Sequence, residues 1–310
     1  MILAPPEKRR PLILEIKGNS LDDGPGIRTV VFFKGCPLSC IWCHNPESKK
    51  TGPELSFDPR ECVGCDTCIG VCPRGALDRT NKGFIDRDGC DLCYECVDEC
   101  PSGALAKVGR YMEPDDVVVE VEKDLPFFRT SGGGVTLSGG EPTLYMEYAS
   151  GLLSRLKAIG VHTLLETCGL FDWEQFKEKM LPHLDTVYFD LKIADPETHK
   201  AHCGVSNEVI LENFRKICAV CENGSPEMLP RIPLIPGSTA GEDNLKAIAA
   251  ILRENGINRL AVLQYNPLWV EKSGKIGAAE PPSGGTAWTK WMERPELERC
   301  RSYFDDFELV

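Results

Sequence analysis

Eight cysteines in two like-spaced runs leave this 310-residue chain little freedom over one part of its structure. The first run is Cys62-Val-Gly-Cys65-Asp-Thr-Cys68-Ile-Gly-Val-Cys72-Pro73-Arg-Gly-Ala-Leu77. It is echoed by Cys90-Asp-Leu-Cys93-Tyr-Glu-Cys96-Val-Asp-Glu-Cys100-Pro101-Ser-Gly-Ala-Leu105. In a C-x2-C-x2-C-x3-C-P run, three thiolates wrap one corner of a cubane and the fourth reaches a second cluster. By that rule Cys62, Cys65, Cys68 and Cys100 hold one [4Fe–4S] cluster, and Cys90, Cys93, Cys96 and Cys72 hold the other. Zinc also takes C-x2-C pairs, but it does not explain four cysteines per run, doubled, each followed by Pro-x-Gly-Ala-Leu. Two copies are too few for a solenoid. The repeat therefore reads as one small module spanning roughly residues 59–106.

The remaining composition narrows the setting. Sixteen cysteines are present, and Cys168, Cys203, Cys218, Cys221 and Cys300 lie outside the cysteine-rich stretch from Cys36 to Cys100. The N-terminus carries prolines and charges where a signal peptide needs an apolar run, and nothing approaches the ~18 apolar residues of a membrane helix. A cytoplasmic setting is expected, where thiols serve metals rather than disulfides. A net charge of −12 suits neither nucleic acid nor a membrane surface.

Short apolar runs alternate with amphipathic ones. Strands are expected at Ile27–Lys34, Gly134–Leu137, Val161–Glu166, Thr186–Leu191, Leu229–Ile235 and Arg259–Tyr265. Helices are expected at Tyr148–Ile159, from Asp172 to about Leu181, and at Asn207–Cys221, Gly241–Glu254 and Pro295–Phe304. Residues 268–290 read as irregular. The pattern predicts an α/β fold with a parallel sheet, in three segments: 1–58, the inserted module 59–106, and 107–310.

A second cysteine pattern follows the first strand: Gly35-Cys36-Pro37-Leu38-Ser39-Cys40-Ile41-Trp42-Cys43-His44-Asn45-Pro46. Three thiolates in C-x3-C-x2-C spacing can anchor a cubane and leave one iron open, as catalytic metal sites do. A zinc site completed by His44 is the alternative that the spacing leaves standing. Cys168, Cys203 and Cys300 read as buried thiols, and Cys218 and Cys221 as packing on one helical face.

Taken together, four segments resemble the radical S-adenosylmethionine (SAM) superfamily and, within it, the activating enzymes of glycyl radical enzymes. They are Asp23-Gly-Pro-Gly-Ile-Arg28, the Gly35–Pro46 loop, Ser131-Gly-Gly-Gly-Val-Thr-Leu-Ser-Gly-Gly-Glu-Pro142 and Tyr188-Phe-Asp-Leu-Lys192. The resemblance covers roughly residues 12–265, and the inserted module separates the chain from the shorter pyruvate formate-lyase activases. It implies a partial (β/α)6 TIM-type barrel with an inserted bacterial-ferredoxin-like domain. It also implies an oxidoreductase with three [4Fe–4S] clusters. One, held by Cys36, Cys40 and Cys43, would bind SAM and cleave it reductively to a 5′-deoxyadenosyl radical that abstracts hydrogen from a glycine of a partner glycyl radical enzyme.

The resemblance further implies SAM contacts from Trp42, Cys43, His44, Gly139, Gly140, Glu141, Asp190, Leu191, Lys192 and Arg231. Glu141 would position either the SAM ammonium or its own loop. Glu166, Thr167 and Asp190 match a monovalent-cation site, although Glu166 stands where a relative has Asp. Asn266 stands where that relative has His. Asp23 is the candidate contact for the partner's glycine loop, and a ferredoxin or flavodoxin the expected electron donor. Two rivals share parts of this pattern: a radical SAM enzyme acting on a small molecule, and a non-catalytic iron–sulfur electron carrier.

Overall fold

The computed structural model describes residues 10–221, 224, 226–278 and 286–310. Its strands are β1 (Leu12–Ser20), β2 (Arg28–Lys34), β3 (Glu54–Phe57), β4 (Leu105–Val108), β5 (Arg110–Tyr111), β6 (Gly134–Gly139), β7 (His162–Thr167), β8 (Thr186–Asp190), β9 (Glu227–Pro233), β10 (Arg259–Leu263) and β11 (Glu308–Leu309). In the main sheet β2, β6, β7, β8, β9 and β10 are successive parallel neighbours. These correspond to the strands expected from the apolar runs. β2 is buried along almost its whole length, as a strand covered on both faces must be. The result is an α/β partial (β/α)6 barrel.

The edges of the sheet were not anticipated. β1 runs antiparallel to β2, and β5 antiparallel to β1. β11 extends the far edge by pairing parallel with β10. The burial of β1 alternates after Ile13, so one face meets solvent.

The helices are α1 (Thr67–Val71), α2 (Glu95–Asp98), α3 (Pro114–Glu122), α4 (Leu125–Ser131), α5 (Met146–Ala158), α6 (Trp173–Gln175), α7 (Pro196–Cys203), α8 (Glu208–Cys221), α9 (Glu242–Glu254), α10 (Trp269–Lys275) and α11 (Arg294–Arg301). Asp172 caps α6 by accepting from the Gln175 amide at 2.9 Å. Helix α10 corrects the expectation of an irregular 268–290 segment, of which 279–285 lie outside the described residues. Its Gly and Ser read as loop, but Trp269 is buried against Trp288 and donates to the Tyr265 hydroxyl at 2.7 Å. Tertiary burial overrides the weak local propensity.

Between β2 and β6 the antiparallel pair β3–β4 carries the cysteine repeat. Leu55, Leu77, Phe84, Ile85, Cys96 and Leu105 form a hydrophobic cluster of their own there. The repeat is also conformational. Asp66 and Tyr94, 28 residues apart, both take left-handed backbone before α1 and α2. Gly75 and Gly103 take it after the fourth cysteine of each run. Among the described residues, no helix is long and apolar enough to cross a membrane.

Candidate active site

The C-terminal ends of the parallel strands gather on one edge, where sites of this architecture assemble. The Cys36–Cys43 loop follows β2 and is pinned on two sides. Gly35 and Cys36 donate to the carbonyls of Ser48 (2.6 Å) and Lys49 (3.2 Å), and Ser39 and Ile41 to those of Cys203 (2.8 Å) and His202 (3.1 Å). Cys40 is buried, and Cys36 and Cys43 half-buried. The Cys203 thiol, opposed by burial and helped by Lys192 and Lys49, draws Cys40 down to about 7. Burial, then the charges of Cys40 and Cys36, push Cys43 up to about 12. Three thiols sit on this one pinned loop, and Cys43, held protonated by burial and by its neighbours' charges, is a donor that a cationic metal core would relieve. The residues present therefore fit a cluster.

Glu141 is engaged by its own surroundings. It is 1 % exposed, and both carboxylate oxygens are engaged. Oε1 accepts from the Thr143 amide (3.2 Å) and hydroxyl (2.8 Å) and the Thr167 hydroxyl (3.0 Å), and Oε2 from the Cys168 amide (2.7 Å). Its own amide donates to the Gly35 carbonyl at 2.8 Å. Glu141 thus ties the turn after β6 to the end of β7 and to the cysteine loop. Gly140 is required by the same contact, since a Cβ there would lie 2.1 Å from the Gly35 oxygen. The room that the glycine pair leaves is taken up by backbone of β2 at Phe32 and Phe33 and of Gly35 and Ser48 flanking the loop.

Asp190 and Arg231 are paired in register across β8 and β9. The Arg231 guanidinium reaches Asp190 Oδ1 at 2.9 Å with Nε and Glu166 Oε1 with Nη1. Lys192 Nζ lies 3.0 Å from Asp190 Oδ2, and Ser138 donates to Glu166 Oε2 at 2.5 Å. Burial would raise the Asp190 carboxyl, but Arg231 and Lys192 outweigh it and hold it low. Burial lifts Glu166 against the pull of Arg231. Two of the candidate cation ligands therefore face Arg231, while the hydroxyl of the third, Thr167, faces Glu141. Leu191 is buried and donates its amide to the Arg231 carbonyl at 2.9 Å.

A cavity of about 390 Å3 opens at this edge, lined among others by Asp23, Phe32, His44, Asn45, Asn266 and Lys272. His44 Nε2 is buried without a hydrogen-bond partner among the described residues. Burial, then Lys272, pull its pKa down to about 4, so at neutral pH the ring is uncharged. Trp42 is buried and meets His202 edge-on at 6.0 Å. Asn266 Oδ1 accepts from the Leu268 amide at 2.9 Å just before α10. Asp23 hydrogen-bonds Ser20, and its carbonyl accepts from Thr136 at 2.7 Å.

Two buried charged residues, Arg28 at the start of β2 and Lys34 at its end, were missed in the sequence. Arg28 is fully buried and donates to Thr136 Oγ1 (2.6 Å) and the carbonyls of Val135 (2.5 Å) and Pro25 (3.3 Å). It clamps the Asp23–Gly26 segment onto β6. Lys34, also fully buried, pairs with Glu54 at 2.6 Å. Both look like solvated strand ends in the sequence. The placement of Arg28 as the last residue of Asp-Gly-Pro-Gly-Ile-Arg was the one available signal. Cys168 and Cys203 are buried against the cysteine loop, and Cys218 and Cys300 in the core.

In the repeat, two cavities each collect four cysteines. One is lined by Cys72, Cys90, Cys93 and Cys96, the other by Cys62, Cys65, Cys68 and Cys100. Each draws three from one run and the fourth from the other.

Three family models match the chain: the radical SAM superfamily over residues 88–249, a 4Fe-4S dicluster domain over 61–105 and a 4Fe-4S single cluster domain over 22–67. The chain is 38 % identical to the indoleacetate decarboxylase activating enzyme of Tractidigestivibacter scatoligenes, over 89 % of this chain and 91 % of that one. It is 38 % identical to the isethionate sulfite-lyase activating enzyme of Desulfovibrio desulfuricans, over 92 % of each. With the benzylsuccinate synthase activating enzyme of Thauera aromatica it shares 42 % identity, over 78 % of this chain and 74 % of that one. Thiols gathered at a strand edge, a dicluster repeat and near-full-length likeness agree: the chain belongs to the radical SAM superfamily and, within it, to the 4Fe-4S dicluster-bearing activating enzymes of glycyl radical enzymes.

Proposed function

We propose that this activating enzyme works with three [4Fe–4S] clusters, one held in the barrel segment 1–58 and two in the inserted 59–106, with 107–310 completing the barrel, and takes a glycine loop of a partner enzyme as its substrate. The observation that carries the reading is the pinned three-thiol loop at the strand ends, set beside a His44 ring nitrogen that has no hydrogen-bond partner among the described residues and the Arg231 and Lys192 charges. Cys36, Cys40 and Cys43 would hold one cubane, and the eight module cysteines the other two. When bound, cluster and SAM supply reductive cleavage of the sulfonium and a radical able to take hydrogen from glycine.

The chain's own residues bind and orient. Lys192 and Arg231 bring positive charge toward the SAM carboxylate, although Arg231 already holds Asp190 with Nε and Glu166 with Nη1. Gly139, Gly140 and Glu141 set the turn beside the methionyl group, with Glu141 acting through the loop. His44, uncharged and with a free ring nitrogen, serves the adenine end together with Trp42; its ring lies 6.0 Å from that of Tyr265, and Trp42 packs edge-on against His202. Arg231 supplies the charge between Glu166 and Asp190 that a monovalent cation would otherwise bring. Asp23, on the cavity wall, meets the partner's glycine loop, and a cytoplasmic ferredoxin or flavodoxin supplies the electron.

The test is anaerobic reconstitution followed by dithionite and SAM. Formation of 5′-deoxyadenosine is expected, and its absence defeats the reading. Incubation with a glycyl radical enzyme encoded beside this chain should then give a glycyl EPR doublet.

A further inference from the structure

The two cysteine cavities of the module are not equivalent in their relation to the barrel. The β3–β4 ladder measures the difference. Its Glu54/Val108 end rests on the barrel, because Glu54 pairs with buried Lys34 at 2.6 Å. Gly109, next after Val108, sits so close that a Cβ would lie 3.0 Å from both Leu12 and Lys34. Phe57 and Leu105, paired at the other end, lie three residues further out, or about 10 Å at ~3.3 Å per residue. Leu55 lines the cavity of Cys72, Cys90, Cys93 and Cys96, whereas Phe57 and Leu105 line that of Cys62, Cys65, Cys68 and Cys100. Tyr94, within the Cys90 run, donates to the Glu54 carbonyl at 3.4 Å. From there Lys34 is two residues from Cys36.

The other connection is longer. From Cys62 it returns four residues to Asp58 and crosses to Lys275 at 2.7 Å. It then follows a turn of α10 to Lys272, 3.3 Å from the His44 carbonyl.

Resting on the three-cluster reading above, we propose that Cys72, Cys90, Cys93 and Cys96 form the inner relay site. Cys62, Cys65, Cys68 and Cys100 form the outer one, and Tyr94, Glu54 and Lys34 bridge the inner site to the Cys36 loop. One electron from an external one-electron reductant of the ferredoxin or flavodoxin class passes outer to inner to loop. Each site gains and then loses that single electron.

Electron spin relaxation tests the order, since a neighbouring paramagnet speeds relaxation steeply as distance falls. The SAM-responsive EPR signal of the reduced, fully loaded protein is compared with that of Cys90→Ala/Cys93→Ala and Cys62→Ala/Cys65→Ala variants. Each variant should carry about eight irons instead of about twelve. Loss of the Cys90 pair should slow the relaxation, and loss of the Cys62 pair should leave it nearly unchanged. The opposite pattern, or equal effects, overturns the order alone. Absence of any SAM-responsive signal in the unaltered protein overturns the underlying reading as well. If the alanine variants do not load, Cys→Ser pairs, which keep a ligand atom, give the same comparison.

Discussion

Cys40 and Cys65 are each the second cysteine of their run, yet Cys40 is buried and Cys65 exposed. The contrast extends to what holds them. Around Cys40 the loop is tied to Ser48, Lys49, His202 and Cys203, and through Glu141 to β6 and β7. Around Cys65 the turns are local and repeat every 28 residues, with left-handed backbone at matching places. One region is built by distant elements converging, the other by a short pattern used twice. The first suits a reaction that must be shielded from water. The second suits clusters that exchange electrons across a thin protein wall.

The sharpest way to break this contrast is to remove one thiol from each region. Cys36→Ala should abolish SAM cleavage, while Cys65→Ala, assayed with dithionite, should retain it. Equal loss in both would show that the module is not separable from the chemistry. Next in size is Glu141→Ala, which strands four donors in a buried site and should cost about 3–5 kcal/mol in denaturant unfolding of the metal-free protein. Lys34→Met should cost about 2 kcal/mol by leaving Glu54 buried with only the exposed Lys50 as partner, and adding Glu54→Leu should recover most of it.

Smaller still is a pH effect. His199 is buried, and burial holds its pKa below the ordinary 6.5. Its depressed folded value means that it contributes full stability above that pH and loses it as pH falls further. His199→Gln should therefore flatten the acid side of the thermal-stability profile. Asp66→Asn, which breaks the exposed pair with Arg79, should leave stability unchanged, as exposed pairs do. A measurable loss there would show that the module depends on more than its local turns.

The metal-binding framework was legible because its rule is local. Thiolate spacing, a following proline and the period of 28 residues need only a few bonds of chain, and both cysteine sets converge in the cavities that the spacing predicts. The parallel strands were legible for a similar reason, since burial on both faces leaves continuous apolar runs. The strand edges escaped because β1, β5 and β11 alternate or are too short to carry a pattern. Helix α10 escaped because Trp269, not its propensity, makes it.

Charge partnership was illegible in a stronger sense. Arg28 and Lys34 bracket an apolar strand as solvated ends commonly do, and only the packed structure shows each with no solvent exposure. The four donors around Glu141, from Thr143 in its own turn and from Thr167 and Cys168 at the end of β7, are brought to it only by packing. Arg231 and Asp190, 41 residues apart, become partners only because parallel strands bring them into register. The sequence by itself determined which atoms are available to hold iron and roughly where the strands run, because those depend on short-range spacing and hydrophobic period. The tertiary structure alone decided which charges meet, which thiols are shielded and which cysteine set lies nearer the barrel, because a buried charge is stable only with a partner that long-range packing supplies.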